Sequence, residues 1–152
     1  METSAVRQAV RALLLQVKRP AADRREDRRA QTDQATRQYQ VFLERIAVPL
    51  FKQLGNVLRT EGHPFDVFTP GGAVRLMSGR GQDNYIEVAL DTKGVAPKLL
   101  GRVCHSSGGD VMQTELVLNA TTDIEALTEE DLLGFVLAAL EPFVEEATPD
   151  DR

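Results

Sequence analysis

The sequence predicts an α+β fold: a five-stranded antiparallel β-meander with N-terminal helices and a C-terminal helix packed on one face. Three observations predict it. Apolar residues recur at helical spacing up to about residue 59, the period drops to two from Phe65, and a capped apolar helix returns at Thr128. Each link between the alternating runs is short and carries glycine, which suits hairpins and leaves no room for a crossover helix. The chain has 152 residues, the size of one domain.

The elements follow in order. Residues 2–18 read as an amphipathic helix, with Val6, Val10, Leu13, Leu14 and Val17 on one stripe, Thr3 or Ser4 as cap and Pro20 as stop. Residues 18–38 hold almost no large apolar side chain. Lys18, Arg19, Arg24, Arg25, Arg28 and Arg29 alternate there with Asp23, Glu26 and Asp27. This is either an exposed helix held by ion pairs or a solvated linker. A second helix is expected from Thr36 to Arg59, on a stripe of Tyr39, Phe42, Ile46, Leu50, Leu54 and Val57. Val41, Val48, Phe51 and Leu58 widen the stripe enough for two contact surfaces. Pro49 predicts a kink or break, and Gly62 with Pro64 a stop.

Five strands are expected at about 65–69, 73–78, 84–91, 97–105 and 111–119. The clearest is Asn84–Asp91, where Ile86, Val88 and Leu90 alternate with Tyr85, Glu87 and Ala89. In the last helix Thr128 and Asp131 make a variant capping box, Leu127 and Leu132 a hydrophobic staple, and Pro142 a bend or an end. The domain organisation is then residues 1–35 as amphipathic helix and charged linker, 36–146 as the α+β domain, and 147–152 as a frayed tail.

Composition narrows the function. Aromatics make up 5% with no Trp, so stacking platforms for bases or sugars are disfavoured. A single cysteine cannot close an internal disulfide and fits a reducing compartment. The apolar run Ala12–Leu15 is too short for a signal-peptide core, and no run approaches the ~20 apolar residues of a membrane span. A cytoplasmic protein without membrane contact is expected. Residues 1–62 carry 12 Lys+Arg against 7 Asp+Glu, and residues 63–152 carry 6 against 16. Nucleic acid has one point of entry, residues 18–29. The acids in that window and the acidic remainder of the chain argue against it.

The stretch Arg102–Asp110, RVCHSSGGD, gathers Cys104, His105 and two serines beside a glycine pair. Neighbours on a strand point to opposite faces, so Cys104 and His105 cannot form a catalytic dyad. A two-residue turn at Gly108-Gly109 sets Arg102 opposite Glu115 and His105 opposite Met112. A four-residue loop sets His105 opposite Asp110. Both put Leu99, Val103, His105, Met112, Leu116 and Leu118 on the core face; a three-residue loop would swap the relative faces. With two histidines and no CxxC, HxxxH or HExxH spacing, neither a metal site nor another cofactor is expected.

The outward face is the candidate site. Arg75, Tyr85, Glu87 and Arg102 belong on neighbouring strands there, as an ion-pair ladder or as a polar face for a carboxylate or phosphate. The expected function is a non-enzymatic protein-interaction module, dimeric or a small subunit of a larger assembly, chaperone- or adaptor-like. Its partner is protein, self or heterologous, met through Val6, Val10, Leu13 and Val17 of the first helix. The alternative is a small-ligand binder or enzyme, using the outer face or a pocket between sheet and helices. In size and acidity the chain is similar to type III secretion chaperones, which are dimeric α+β proteins. Those chaperones interrupt their strands with a helix, whereas an unbroken meander is expected here.

Overall fold

The computed structural model describes residues 2–17, 21–81 and 83–147. It has N-terminal helices, a five-stranded antiparallel meander and a C-terminal helix packed against the sheet. Helix α1 is Thr3–Val17. Helix α2 is Ala21–Phe42, followed by a π-helical turn, Leu43–Ala47, and by helix α3, Val48–Thr60. The charged segment is therefore helical from Ala21 onward rather than an extended linker.

Pro49 explains the π turn. It lacks an N–H, and its ring would crowd the carbonyl of Arg45 in a regular helix. The ladder widens just ahead of it, with the Val48 N–H donating to the Leu43 carbonyl, and Pro49 then falls in the first turn of α3. The expected break is thus a bulge inside a helix that continues. The bulge also rotates the apolar stripe. Leu50, Phe51 and Gly55 are buried in α3, while Val57, placed on the stripe by its spacing, is exposed. The helix stops as expected. Gly62 adopts φ 89°, its N–H bonds the Arg59 carbonyl, and the His63 N–H bonds the Leu58 carbonyl, a Schellman closure.

The strands are β1 Phe65–Phe68, β2 Val74–Ser78, β3 Tyr85–Asp91, β4 Lys98–Ser107 and β5 Asp110–Val117, in sequential order. Ser107 stands opposite Asp110, which leaves Gly108 and Gly109 as a two-residue turn with φ 57° and 91°. Both angles are left-handed, the geometry of a type I′ hairpin, and glycine adopts it without Cβ strain. Of the two even registers the shorter turn is the one formed.

Helix α3 lies on β1 and β2. Helix α4, Glu129–Ala147, lies on β3 and β4 of the same face. Between them sit the fully buried Phe51, Phe65, Val74, Leu76, Ile86, Val88, Leu99 and Val136. The capping box forms: the Thr128 N–H donates to Asp131 Oδ2 at 3.0 Å, and the Asp131 N–H donates to Thr128 Oγ1 at 3.2 Å. Pro142 does not end α4, which runs on to Ala147. The proline faces solvent, as does Ala138, whose carbonyl loses its partner and is free to be hydrated. Of the tail expected to fray, Ala147 closes α4 and residues 148–152 lie outside the described residues. Among the described residues no helix is long and apolar enough to cross a membrane.

The helical layer stops at β4. Met112 and Leu116 do share the core face with His105 and Gly101, as expected, but they are 68% and 54% exposed.

Tyr39 pins α2 to the sheet by donating from its hydroxyl to the Gly72 carbonyl in the β1–β2 connection. Burial, with a smaller effect from the Glu87 carboxylate, pushes this phenol up to about 12. The unfolded phenol ionises near ~10, so the folded state holds its proton more tightly. The resulting stability is complete below pH ~10 and is lost as pH rises through 12. Absorbance titration at 295 nm is expected to show this late ionisation, and Tyr39→Phe to remove it at a cost of about 1 kcal/mol in urea unfolding.

Candidate functional site

The outer sheet face is assembled by register alone. Arg75 stands opposite Glu87, Glu87 opposite Arg102, and Arg102 opposite Glu115. Alternation puts all four side chains on the face away from the helices. The four expected residues, Arg75, Tyr85, Glu87 and Arg102, do come together. The Arg75 Nε donates to Glu87 Oε2 at 2.7 Å, and Arg102 Nη1 to Glu87 Oε1 at 3.2 Å. Arg102 Nε then donates to Glu115 Oε2 at 2.7 Å. The Arg75 guanidinium also lies over the Tyr85 ring, 4.0 Å from its centroid.

Two arginines and two carboxylates make this ladder neutral. Glu87 is only 5% exposed, and each of its oxygens accepts from a different arginine. Each guanidinium already commits two of its three nitrogens to carboxylates, Arg75 to Glu87 and Arg102 to Glu87 and Glu115. The hydrogen bond to Glu115, opposed by burial and helped by Glu87, raises the Arg102 pKa above its usual value. Burial chiefly raises that of Tyr85, with the neighbouring Cys104 adding to it and Arg75 opposing. These are the properties of a self-satisfied cross-strand network.

No family model, curated protein or solved structure matches the chain. The chemistry of its own residues must therefore carry the functional reading.

At RVCHSSGGD the sheet keeps the two reactive side chains on opposite faces. Cys104 points to the outer face opposite Tyr85 and Gln113, and is buried there rather than accessible. His105 points to the other face, where its ring meets Phe143 edge-on at 4.8 Å. The sheet separates them. Among the described residues, no three His, Cys, Asp or Glu side chains are brought together as a metal site.

Two surfaces escaped residue-by-residue reading. One is a groove of about 310 Å³ between α2, the π turn and the 3-10 turn Ile124–Ala126. Val41, Phe42 and Ile46 line it, with Arg37 and Arg45 beside them. Of the residues that widen the apolar stripe, Val41 faces this groove, while Phe51 lies in the core and Val48 and Leu58 pack against it. The other is the bare face of β5, described above.

Among the described residues, no side chain of helix α1 is buried by its own chain, and Val6, Val10, Leu13 and Val17 are 43–65% exposed. Leu14 belongs to the same stripe, while Leu15 lies on the opposite side.

Proposed function

We propose that the protein is a non-enzymatic interaction module that engages a second protein chain through α1. One observation carries this reading: α1 presents an apolar stripe that its own domain leaves uncovered. An isolated 15-residue helix is marginal in water, because nucleation costs more than so few hydrogen bonds return. Covering the stripe with a partner supplies the missing stabilisation, as in helix-in-groove recognition. The commitment of Arg75 and Arg102 to carboxylates of their own sheet, and the separation of Cys104 from His105, support an interaction role over a catalytic one. Residues 21–29 alternate arginines with Asp23, Glu26 and Asp27 on an exposed helix, which favours a protein contact over a nucleic-acid one.

Sedimentation at micromolar concentration tests the reading. The chain is expected to sediment above its monomer mass, alone or with its partner. Leu13→Asp is expected to abolish the association while leaving the monomer folded, because Leu13 is 58% exposed in its own chain. A monomer whose residues 3–17 exchange their amides slowly, through packing on their own domain, would refute it.

The groove beside the π turn favours one second reading, a binder of small anionic amphiphiles, with an apolar floor and with Arg37 and Arg45 outnumbering the one acid of the lining, Glu125. A ligand that raises the melting temperature of the natural chain, but not of Arg37→Ala/Arg45→Ala, would support it. Loss of that shift in Arg75→Ala or Arg102→Ala instead would return the outer face to consideration.

A further inference from the structure

The bare face of β5 and the bare stripe of α1 fit one another. Phe135 of α4 lies directly over Gly101, and Phe143 lies against His105. Those two β4 residues stand opposite Leu116 and Met112. The last turns of cover therefore end one strand short of the sheet edge. Beyond them, Met112, Thr114 and Leu116 form an apolar shelf with Phe135 as its wall. From Met112 to Leu118 the shelf runs for about 20 Å. Helix α1, with 15 residues, is about 22 Å long.

Charge agrees with length. From Thr3 to Val17, α1 carries Arg7 and Arg11 and no acid. Both arginines flank the apolar stripe on the side of Leu14. The shelf has an acid at each end. Asp110 shares the face of Met112, and Asp131 borders a small cavity with Leu118. No Lys or Arg occurs between Arg102 and Arg152. A basic apolar helix is thus matched to an apolar strip set in an acidic surround.

Resting on the interaction reading above, we infer that the occupant of this shelf is α1 of a second copy, exchanged reciprocally. The first turns of α2, Ala21–Gln31, are exposed throughout. They carry the start of α2 about 15 Å away from the point where Gln31 and Asn119 border one cavity. A second copy brings its α1 without that tether. Two-fold exchange fills both shelves, covers both stripes and closes the assembly at a dimer.

Two single variants test this, Leu13→Cys and Leu116→Cys, both at exposed positions and both in the full-length chain. Mixed and mildly oxidised, they are expected to give a disulfide-linked heterodimer in high yield; buried Cys104 competes poorly. Arg7→Glu/Arg11→Glu is expected to weaken the dimer in sedimentation, and Asp110→Arg to restore part of the loss. Three results would overturn the inference. In the double variant Leu13→Cys/Leu116→Cys, closure within single chains would mean that α1 folds back on its own shelf. A dimer that sediments normally but never cross-links would place the contact elsewhere, for example on paired β5 edges, and would leave the interaction reading standing. A monomer with freely exchanging α1 amides would assign α1 to a different protein.

Discussion

Gly101→Ala is expected to lower the unfolding free energy by about 1–3 kcal/mol, the range for overpacking a filled site. The cause is local. A Cβ at this position would collide with Cζ of Phe135 and stand 2.8 and 2.9 Å from its two Cε atoms. The ring lies across the bare backbone of β4 and occupies the space that a side chain would take. Glycine weakens a strand, and an aromatic laid over it returns apolar cover to the gap. The ring belongs to a side chain and can swing away, which keeps the cost moderate. For a chain of this size each 1 kcal/mol corresponds to roughly 2–4 °C in melting temperature.

A double-mutant cycle separates this collision from a general loss of strand fitness. Phe135→Ala alone should destabilise by removing cover from β4. In the Gly101→Ala background it should cost much less, because the clash disappears with the ring. Urea unfolding of the four chains should therefore be non-additive by at least ~0.5 kcal/mol, as expected for residues in contact. Additivity would show that the ring yields without strain. The same pair reports on the β5 shelf. Leu116 stands directly opposite Gly101 on that face, so a displaced Phe135 ring would alter the wall of the shelf. Gly101→Ala should then weaken seating of α1 as well as folding.

The meander was legible because its signals are local. Alternation in Tyr85–Asp91 fixes which side chains face in, and a glycine pair at 108–109 offers the left-handed angles that a two-residue turn demands. Given that turn, the pairing of Arg102 with Glu115 and of His105 with Met112 follows by counting. The helix from Ala21 was harder to read. Its first turns have no apolar face, so periodicity is silent there, and the helix is propagated from the packed turns around Ala35 and Tyr39. The π turn was equally hidden. A proline predicts a disturbance, but whether the chain breaks, kinks or bulges depends on whether helical turns on both sides are held by packing. Here Phe42 and Leu50 hold them.

The membership of the outer-face cluster was also legible, for the same reason of parity. Its burial was not. Glu87 sits in the middle strand of a face with no helix on it, where a lone carboxylate would be open to water. Its cover comes from Arg75, Arg102 and Tyr85, whose stems and ring fold over the strand. The bareness of β5 escaped for the opposite reason. Met112, Leu116 and Leu118 have the pattern of a covered strand, and only the number and placement of helices decides which strands are covered.

Glu87→Ala should be the more damaging of two substitutions at that position, costing about 2–3 kcal/mol. Removing one member of a buried ion pair typically costs ~3–5 kcal/mol, because the partner is left uncompensated. Here two cations lose their shared acceptor at once. Their side chains remain 26% and 30% exposed, so water recovers part of the loss, and the expected value falls below that range. Glu87→Gln keeps the shape and one acceptor oxygen, and should cost less, about 1–2 kcal/mol. Asp66→Asn supplies the contrast. Its pair with Arg59 has side chains 47% and 60% exposed, and its loss should stay within about 0.5 kcal/mol and shrink further in salt. Urea midpoints at low and high salt measure all three. If the ladder is structural, Glu87→Ala shifts the midpoint and leaves the association of correctly folded chains unchanged. If Glu87→Gln leaves the midpoint in place, the arginines do not depend on this carboxylate for folding, and their forks are open to a ligand carboxylate in its stead. The size of one stability change therefore decides between a scaffold and a binding face.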